Sequence, residues 1–107
     1  MAISDKAKNA IFVAIEEETQ NCISNHGFFK NNHEFIAVLL EELQETYYND
    51  NEIDYSFKLA WECVKKDNID CIKSNVCDLY ALAFENLQEW VQVCAVFSKY
   101  LKGCNND

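Results

Sequence analysis

The chain contains no proline and only two glycines, Gly27 and Gly103, in 107 residues. Sheet proteins need many tight turns, and those turns rely on glycine and proline. A chain that nearly lacks both residues is therefore predicted to be all-α. Its length predicts a single domain over residues 1–107, with a core small enough that self-association would help to bury apolar surface.

Acidic residues outnumber basic ones, with 18 Asp and Glu against 9 Lys and Arg, for a formal net charge of −9. Nucleic-acid binding needs clustered Lys and Arg, so we expect no nucleic-acid partner. The acidity suits cation binding or a basic protein partner, and it equally suits ordinary solubility. No apolar run approaches membrane-spanning length, so no membrane partner is expected.

The six cysteines do not form C-x-x-C pairs, which makes a zinc site a poor prediction. No signal peptide is recognisable before them. We therefore expect six free thiols, packed as small apolar side chains, and a cytoplasmic location. If a disulfide did form, Cys71 with Cys77 would be the most plausible pair.

Helical periodicity predicts four helices. The first has Ser4 as its N-cap and ends between residues 24 and 27, and the others cover about 33–48, 54–66 and 70–101. Asn32 is predicted to cap the second helix, and the polar run 49–52 to form a turn. Asp67 and Asn68 are predicted to break the third helix, and Gly103 to stop the last one. Four helices joined by short loops predict a four-helix bundle, or half of a dimeric one.

Two of these helices carry an apolar stripe that predicts the core. On the second helix the stripe is Ile36, Leu39, Leu40, Leu43 and Tyr47, and on the last helix it is Leu87, Trp90, Val91, Cys94 and Leu101. We accordingly expect Leu40, Leu43, Trp90 and Cys94 to be buried.

The same two helices also carry carboxylates on another face. Glu42 and Glu45 are three residues apart, so both side chains can reach one ion. On the last helix, Glu89 and Gln92 share a stripe with Val96, whose apolar side chain indicates that the stripe is not fully solvated. Two helices that each bring two oxygen ligands would build a magnesium site. The alternative is an ordinary solvated face.

Several segments together resemble the MazG-like all-α nucleotide pyrophosphohydrolases, in particular the small proteins of phages and firmicute bacteria. The segments are His26-Gly27-Phe28, His33-Glu34, the run from Val38 to Glu45, the run 59–68, and Glu89 to Ala95 followed by Lys99. The resemblance implies a four-helix bundle of the MazG-like type, completed by assembly into homodimers or homotetramers.

The resemblance also implies a function, the Mg²⁺-dependent hydrolysis of a nucleoside triphosphate to the monophosphate and pyrophosphate. The family's E-x-x-E motif matches Glu42 to Glu45. Its E-x-x-D motif matches Glu89 to Gln92, but Gln92 replaces the aspartate. A neutral amide predicts a weaker metal site or the loss of hydrolysis.

The resemblance also implies roles for individual residues. The predicted metal ligands are Glu42, Glu45, Glu89 and Gln92, and the predicted catalytic residues are Glu41, Glu42 and Glu45, with Glu41 placed to activate water. The predicted substrate contacts are Lys99 on phosphate, His33, and Phe28, Phe29 or Trp61 as stacking surfaces. Each has an ordinary alternative: Lys99 as a surface lysine, His33 as a capping residue and Trp61 as core.

A non-enzymatic function stays open as well. The same acidic helical surface would suit an interaction module that binds a basic protein, in a phage–host contest or in regulation. Gln92 is the residue that favours this alternative, because it weakens the metal site.

Overall fold

The computed structural model describes residues 2–104 and contains three α-helices: α1 (Asp5–His26), α2 (Asn32–Lys65) and α3 (Ile69–Cys104). The all-α prediction is confirmed, since no strand occurs in this range. The prediction of four helices is wrong, because α2 runs without a break through two of them. None of the three helices is long and apolar enough to cross a bilayer.

The chain divides into two compact units. The first lies within residues 1–43 and 90–107, and contains α1, the start of α2 and the end of α3. The second comprises residues 44–89 and is a helical hairpin. A single domain over 1–107 stays a prediction, and its residues 1 and 105–107 lie outside the described range.

Local capping explains the bounds of α1 and the start of α2. Ser4 Oγ accepts a hydrogen bond from the Ala7 amide at 3.1 Å, as predicted. Gly27 follows α1 with φ of 72°, a conformation that favours glycine, and its amide donates to the Ile23 carbonyl. The cap of α2 is Asn31 and not Asn32, because Asn31 Oδ1 accepts from the Glu34 amide at 2.9 Å.

The polar run 49–52 is helical, so the predicted turn and the separate third helix are wrong. Asn and Asp cost a helix only a few tenths of a kcal/mol each, and neither Gly nor Pro occurs in the run. Within the second unit, Asn86 Nδ2 on α3 donates to Asp50 Oδ1 at 2.7 Å, and Asn49 is buried. This tertiary contact stabilises the helical conformation that the local sequence disfavours.

The predicted break at Asp67 and Asn68 is confirmed. Asp67 has φ of 54°, a left-handed conformation that Asp tolerates better than most residues. Asn68 Oδ1 then accepts from the Cys71 amide at 3.1 Å and caps α3.

Gly103 does not stop α3, which continues to Cys104. A Cβ at Gly103 would lie 3.3 Å from Phe28 Cδ1, which is tight for a carbon contact. The glycine therefore serves the packing of Phe28 and not the end of the helix.

The predicted core face is wrong. Leu40 and Trp90 are 53% and 42% exposed, and Leu43 and Cys94 are only half-buried. In the first unit the buried residues are Thr19, Val93, Ala95, Val96 and Lys99; in the second they are Thr46, Asn49, Ala60, Cys63 and Asn86. Small side chains let helices approach closely, and the buried apolar residues of α3 in the first unit, Val93, Ala95 and Val96, are smaller than the exposed Leu40 and Trp90. Burial of Val96 confirms that its stripe is not fully solvated.

The prediction of six free thiols is also wrong, because Cys63 and Cys71 form a disulfide. Their Cα atoms lie 5.7 Å apart across the turn between α2 and α3, a normal distance for a disulfide. Cys77, predicted as the most plausible partner of Cys71, is free, as are Cys22, Cys94 and Cys104.

Thiol titration of the denatured, unreduced protein should find four reactive cysteines, and six after reduction. The disulfide closes a short loop, with a sequence separation of 8, and a loop of that size stabilises a fold by about 2–3 kcal/mol. Reduction should therefore lower the denaturant midpoint, and a Cys77→Ser control should leave it unchanged. Six thiols before reduction would contradict the pairing.

Candidate functional site

The first unit contains a cavity of about 520 Å³, a size typical of small-molecule sites. Its polar lining residues are Glu18, Cys22, His26, Glu34, Glu42, Gln92 and Lys99, and its apolar ones are Phe29, Val38, Ala95 and Val96. Three carboxylates therefore face one ammonium group across a partly apolar space.

Lys99 is the unusual member of this lining, because it is only 7% exposed. Its Nζ lies 4.2 Å from the centroid of the Phe29 ring, which is a cation–π contact. Among residues 2–104, no carboxylate oxygen forms an ion pair with Lys99 within 4.0 Å. The interpretation of Lys99 as a surface lysine is thus wrong, and its ammonium group faces the cavity without an anionic contact.

A row of aromatic rings supports Phe29. Its ring meets Phe35 edge-on at 5.6 Å between centroids, and Phe35 stacks on Tyr100 at 4.2 Å. The Tyr100 hydroxyl donates to Asn32 Oδ1 at 3.2 Å. These contacts hold the loop after α1 and the start of α2 against α3, and so fix the ring beneath Lys99.

Another contact fixes α1 against α3. Glu16 accepts a hydrogen bond from Ser98 Oγ at 3.4 Å and pairs with Lys102 Nζ at 3.1 Å. Since α1 carries Glu18 and Cys22 into the cavity wall, this pairing sets their distance from α3.

The pKa of the Cys22 thiol depends on the burial and the charges around it in the cavity. Burial raises the pKa of its thiol, and the negative charge of Glu18 raises that pKa further, whereas Lys99 lowers it. The thiol also donates to Glu18 Oε1 at 3.8 Å. Cys22 is therefore a protonated thiol at neutral pH and not a nucleophile.

The second unit holds a carboxylate pair. Glu45 on α2 and Glu89 on α3 each offer an oxygen, and these oxygens lie within 4.8 Å of each other. Glu45 is exposed and Glu89 is half-buried. Two oxygens on opposite sides of one ion lie about 4.2 Å apart for Mg²⁺ and about 4.8 Å apart for Ca²⁺. Small side-chain adjustments would let the pair chelate a single hard cation.

The other predicted metal ligands lie one helical turn from this pair. Glu42 precedes Glu45 by three residues on α2, and Gln92 follows Glu89 by three residues on α3, so the members of each pair share a helix side. Both Glu42 and Gln92 line the cavity of the first unit. Glu41, the predicted water-activating residue, is exposed on α2 and does not line that cavity.

The predicted substrate contacts lie in different places. Phe28 lines a smaller pocket of about 320 Å³ together with Lys99, whereas exposed His33 lines neither pocket. Trp61 belongs to the second unit, is 53% exposed, and has Lys65 Nζ 6.0 Å from its ring. Lys99 and Phe29 are thus the predicted substrate contacts that line the larger cavity.

Sequence reasoning missed Glu18, Cys22 and Glu34 as cavity residues and gave His26 little weight, but it did name Phe29 as a stacking candidate. A signal existed on α1, because Glu18, Cys22 and His26 recur every four residues and so form one polar stripe. The aromatic loop after α1 marked Phe29, but its contact with Lys99, far away in the sequence, was not predictable.

Comparison with known proteins found no relative of this chain. No family model matches this chain, and neither a curated protein nor a solved structure matches it. Geometry and the motif resemblance therefore carry the functional argument.

Proposed function

We propose that this protein is a Mg²⁺-dependent nucleoside triphosphate pyrophosphohydrolase of the MazG-like type. The observation that carries the proposal is the pairing of Glu45 with Glu89 within 4.8 Å. The two residues come from different helices, at the positions that correspond to the family's two metal motifs. Carboxylates held at this distance repel each other, and a divalent cation relieves that repulsion.

The donor set suits magnesium. The proposed ligands are the carboxylates of Glu42, Glu45 and Glu89 with the amide oxygen of Gln92, and oxygen donors are those that Mg²⁺ prefers. When bound, the ion would neutralise phosphate charge and favour attack by water. Gln92 contributes no charge, so we expect weaker metal binding than four carboxylates would give.

The remaining roles belong to residues near this set. Glu41 is the proposed carboxylate that orients and deprotonates water. Lys99, which lines the cavity together with Glu42, is the proposed substrate contact. His33, Phe28 and Trp61 remain proposed substrate contacts, and His26 and Phe29, which line the same cavity as Lys99, are added to them.

Hydrolysis should release pyrophosphate and a nucleoside monophosphate, as measured by ³¹P NMR with Mg²⁺ present. Changing Glu45→Gln should lower the rate at least a hundredfold and leave the helical circular dichroism unchanged, because it removes a ligand and also relieves repulsion. Glu62→Gln is the matched control, since Glu62 is exposed on the same helix and pairs with Lys65. Changing Gln92→Asp should tighten Mg²⁺ binding. Equal rates for the Glu45 and Glu62 variants would refute the assignment.

The second candidate function is a protein-interaction module, and the exposed apolar surface of the second unit favours it. Tyr55, Phe57, Trp61, Tyr80 and Phe84 are all more than half exposed. Two helices of a hairpin cannot cover such side chains by themselves. The same surface supports the proposal that the chain assembles into a homodimer or homotetramer.

Sedimentation velocity at micromolar concentration should therefore show a dimer or a larger species. Burying exposed aromatic side chains supplies the driving force, so raised salt should preserve the assembly. A monomer that persists across this concentration range would contradict self-association. An assembled protein that releases no pyrophosphate would favour the interaction module.

The proposed location is the cytoplasm, where nucleoside triphosphates are available. Cys63 and Cys71 would be kept largely as thiols in that compartment. Alkylation at the moment of cell lysis measures this directly, and a fully oxidised pair would contradict the location.

A further inference from the structure

The disulfide of the second unit has no role in the proposed hydrolysis and lies at the end of the hairpin, where α2 is followed by α3. Its two sulfurs differ in access, because Cys63 is only 6% exposed whereas Cys71 is half-buried. Thiol–disulfide exchange begins when a thiolate attacks one of the two sulfurs, and access helps to decide which sulfur is attacked. Cys71 is therefore the sulfur that a small thiol from solution can reach.

Asn75 contacts both sulfurs. Its Nδ2 donates to the Cys71 carbonyl at 2.9 Å, to Cys63 Sγ at 3.3 Å and, at a longer 3.6 Å, to Cys71 Sγ. An amide group has two N–H bonds, so one can fix the side chain on the backbone of α3 while the other donates to Cys63 Sγ. A hydrogen bond to sulfur stabilises the thiolate, and a stabilised thiolate is the better leaving group. Asn75 therefore favours Cys63 as the leaving sulfur.

Hydrogen bonds that do not involve sulfur hold the turn between the two helices. The Asn68 amide donates to the Cys63 carbonyl at 3.1 Å, and the Asp67 amide donates to the Val64 carbonyl at 3.0 Å. Asn68 Oδ1 accepts from the Cys71 amide at 3.1 Å. Because these bonds do not depend on the S–S bond, the two thiols stay close after reduction and the disulfide can form again.

We propose that Cys63 and Cys71 form a reversible exchange site for small soluble thiols, in which Cys71 carries the mixed disulfide and Cys63 is the sulfur released. A thiolate attacks Cys71 Sγ and forms a new S–S bond with it. The Cys63–Cys71 bond breaks, and its electron pair leaves on Cys63 Sγ, which takes a proton from water. A second thiolate then attacks the sulfur of the bound small thiol, and Cys71 leaves as a thiolate that is protonated in turn. The protein disulfide is thereby reduced to two thiols, and two molecules of the small thiol are oxidised to one disulfide.

The position of Cys71 on α3 assists the second step. Cys71 is the third residue of this helix, and the partial positive charge of a helix N-terminus stabilises a thiolate. The same charge would favour Cys71 as the leaving sulfur in the first step, but that route requires attack on buried Cys63. Access therefore sets the order of the two steps.

In reverse, the same two steps oxidise the pair, and the disulfide form of the small thiol accepts the electrons. The pair therefore follows the ratio of the small thiol to its disulfide in the surroundings. Its state decides whether the end of the hairpin is covalently closed, and so how stable the hairpin is. The inference requires neither Mg²⁺ nor a nucleotide, so it is independent of the proposed function.

The test treats the oxidised full chain with glutathione, a small tripeptide thiol, and stops the reaction at successive times with an alkylating agent. Peptide mass mapping then locates the modification on each cysteine. Early samples should contain glutathione on Cys71 and an alkylated thiol on Cys63. Glutathione on Cys63, an equal distribution over both cysteines, or a pair that millimolar glutathione leaves oxidised would overturn the inference.

The variants Cys63→Ser and Cys71→Ser separate the two sulfurs. With oxidised glutathione, Cys63→Ser should acquire an adduct on Cys71 at least about tenfold faster than Cys71→Ser acquires one on buried Cys63. Free, exposed Cys77 on the same helix is present in both variants and is the internal reference. Equal rates in two variants that keep their helical circular dichroism would contradict the assignment. Should either variant lose that signal, the mapping of the wild-type protein decides.

A third variant tests Asn75 as a positioning residue. Asn75→Leu keeps the approximate size of the side chain, removes the N–H donor and should slow reduction by glutathione about fivefold. A variant that merely loosened the turn would be reduced faster, so the direction of the change separates the two roles. Ser74→Ala, at the exposed neighbouring residue, is the matched control and should react at the wild-type rate. Unchanged or faster reduction of Asn75→Leu would contradict the role of Asn75.

Discussion

The burial of a charged lysine among small residues of α3 is the constraint on which the first unit depends. Lys99 shares the buried part of the helix with Val93, Ala95 and Val96. A buried ammonium is costly unless something compensates its lost hydration, and the Phe29 ring at 4.2 Å does so in part. That ring reaches its place because Gly27 ends α1 in a left-handed conformation. The cavity is the space that this arrangement leaves beside the lysine.

The second unit places two like charges near each other. Carboxylate oxygens within 4.8 Å repel each other, and the half-buried position of Glu89 makes that repulsion stronger than it would be in water. The hairpin tolerates this because the hydrogen bond from Asn86 to Asp50 connects its two helices.

Local signals predicted the helix class, the Ser4 cap and the break at Asp67, because each depends on neighbouring residues. The predicted turn at 49–52 failed because a side chain 36 residues away stabilises the helix there. The prediction of the core face failed because periodicity identifies apolar stripes on a helix but does not show which stripe another helix covers. The pairing of Cys63 with Cys71 could be recognised only from the geometry of the turn between α2 and α3. For the candidate site, motif spacing indicated Glu45 and Glu89 and the aromatic loop indicated Phe29, whereas the position of Glu18 in the cavity became visible only in three dimensions.

The central claim is that Glu45 and Glu89 hold a divalent cation, and calorimetric titration with Mg²⁺ measures it most directly. The wild-type protein should bind one cation per chain. Glu89→Gln should weaken that binding at least tenfold, because it removes one charged ligand. Glu85→Gln, an exposed glutamate on the same helix, should leave it unchanged. Equal Mg²⁺ affinity in the wild type and the Glu89 variant, or no binding in the wild type, would contradict the account.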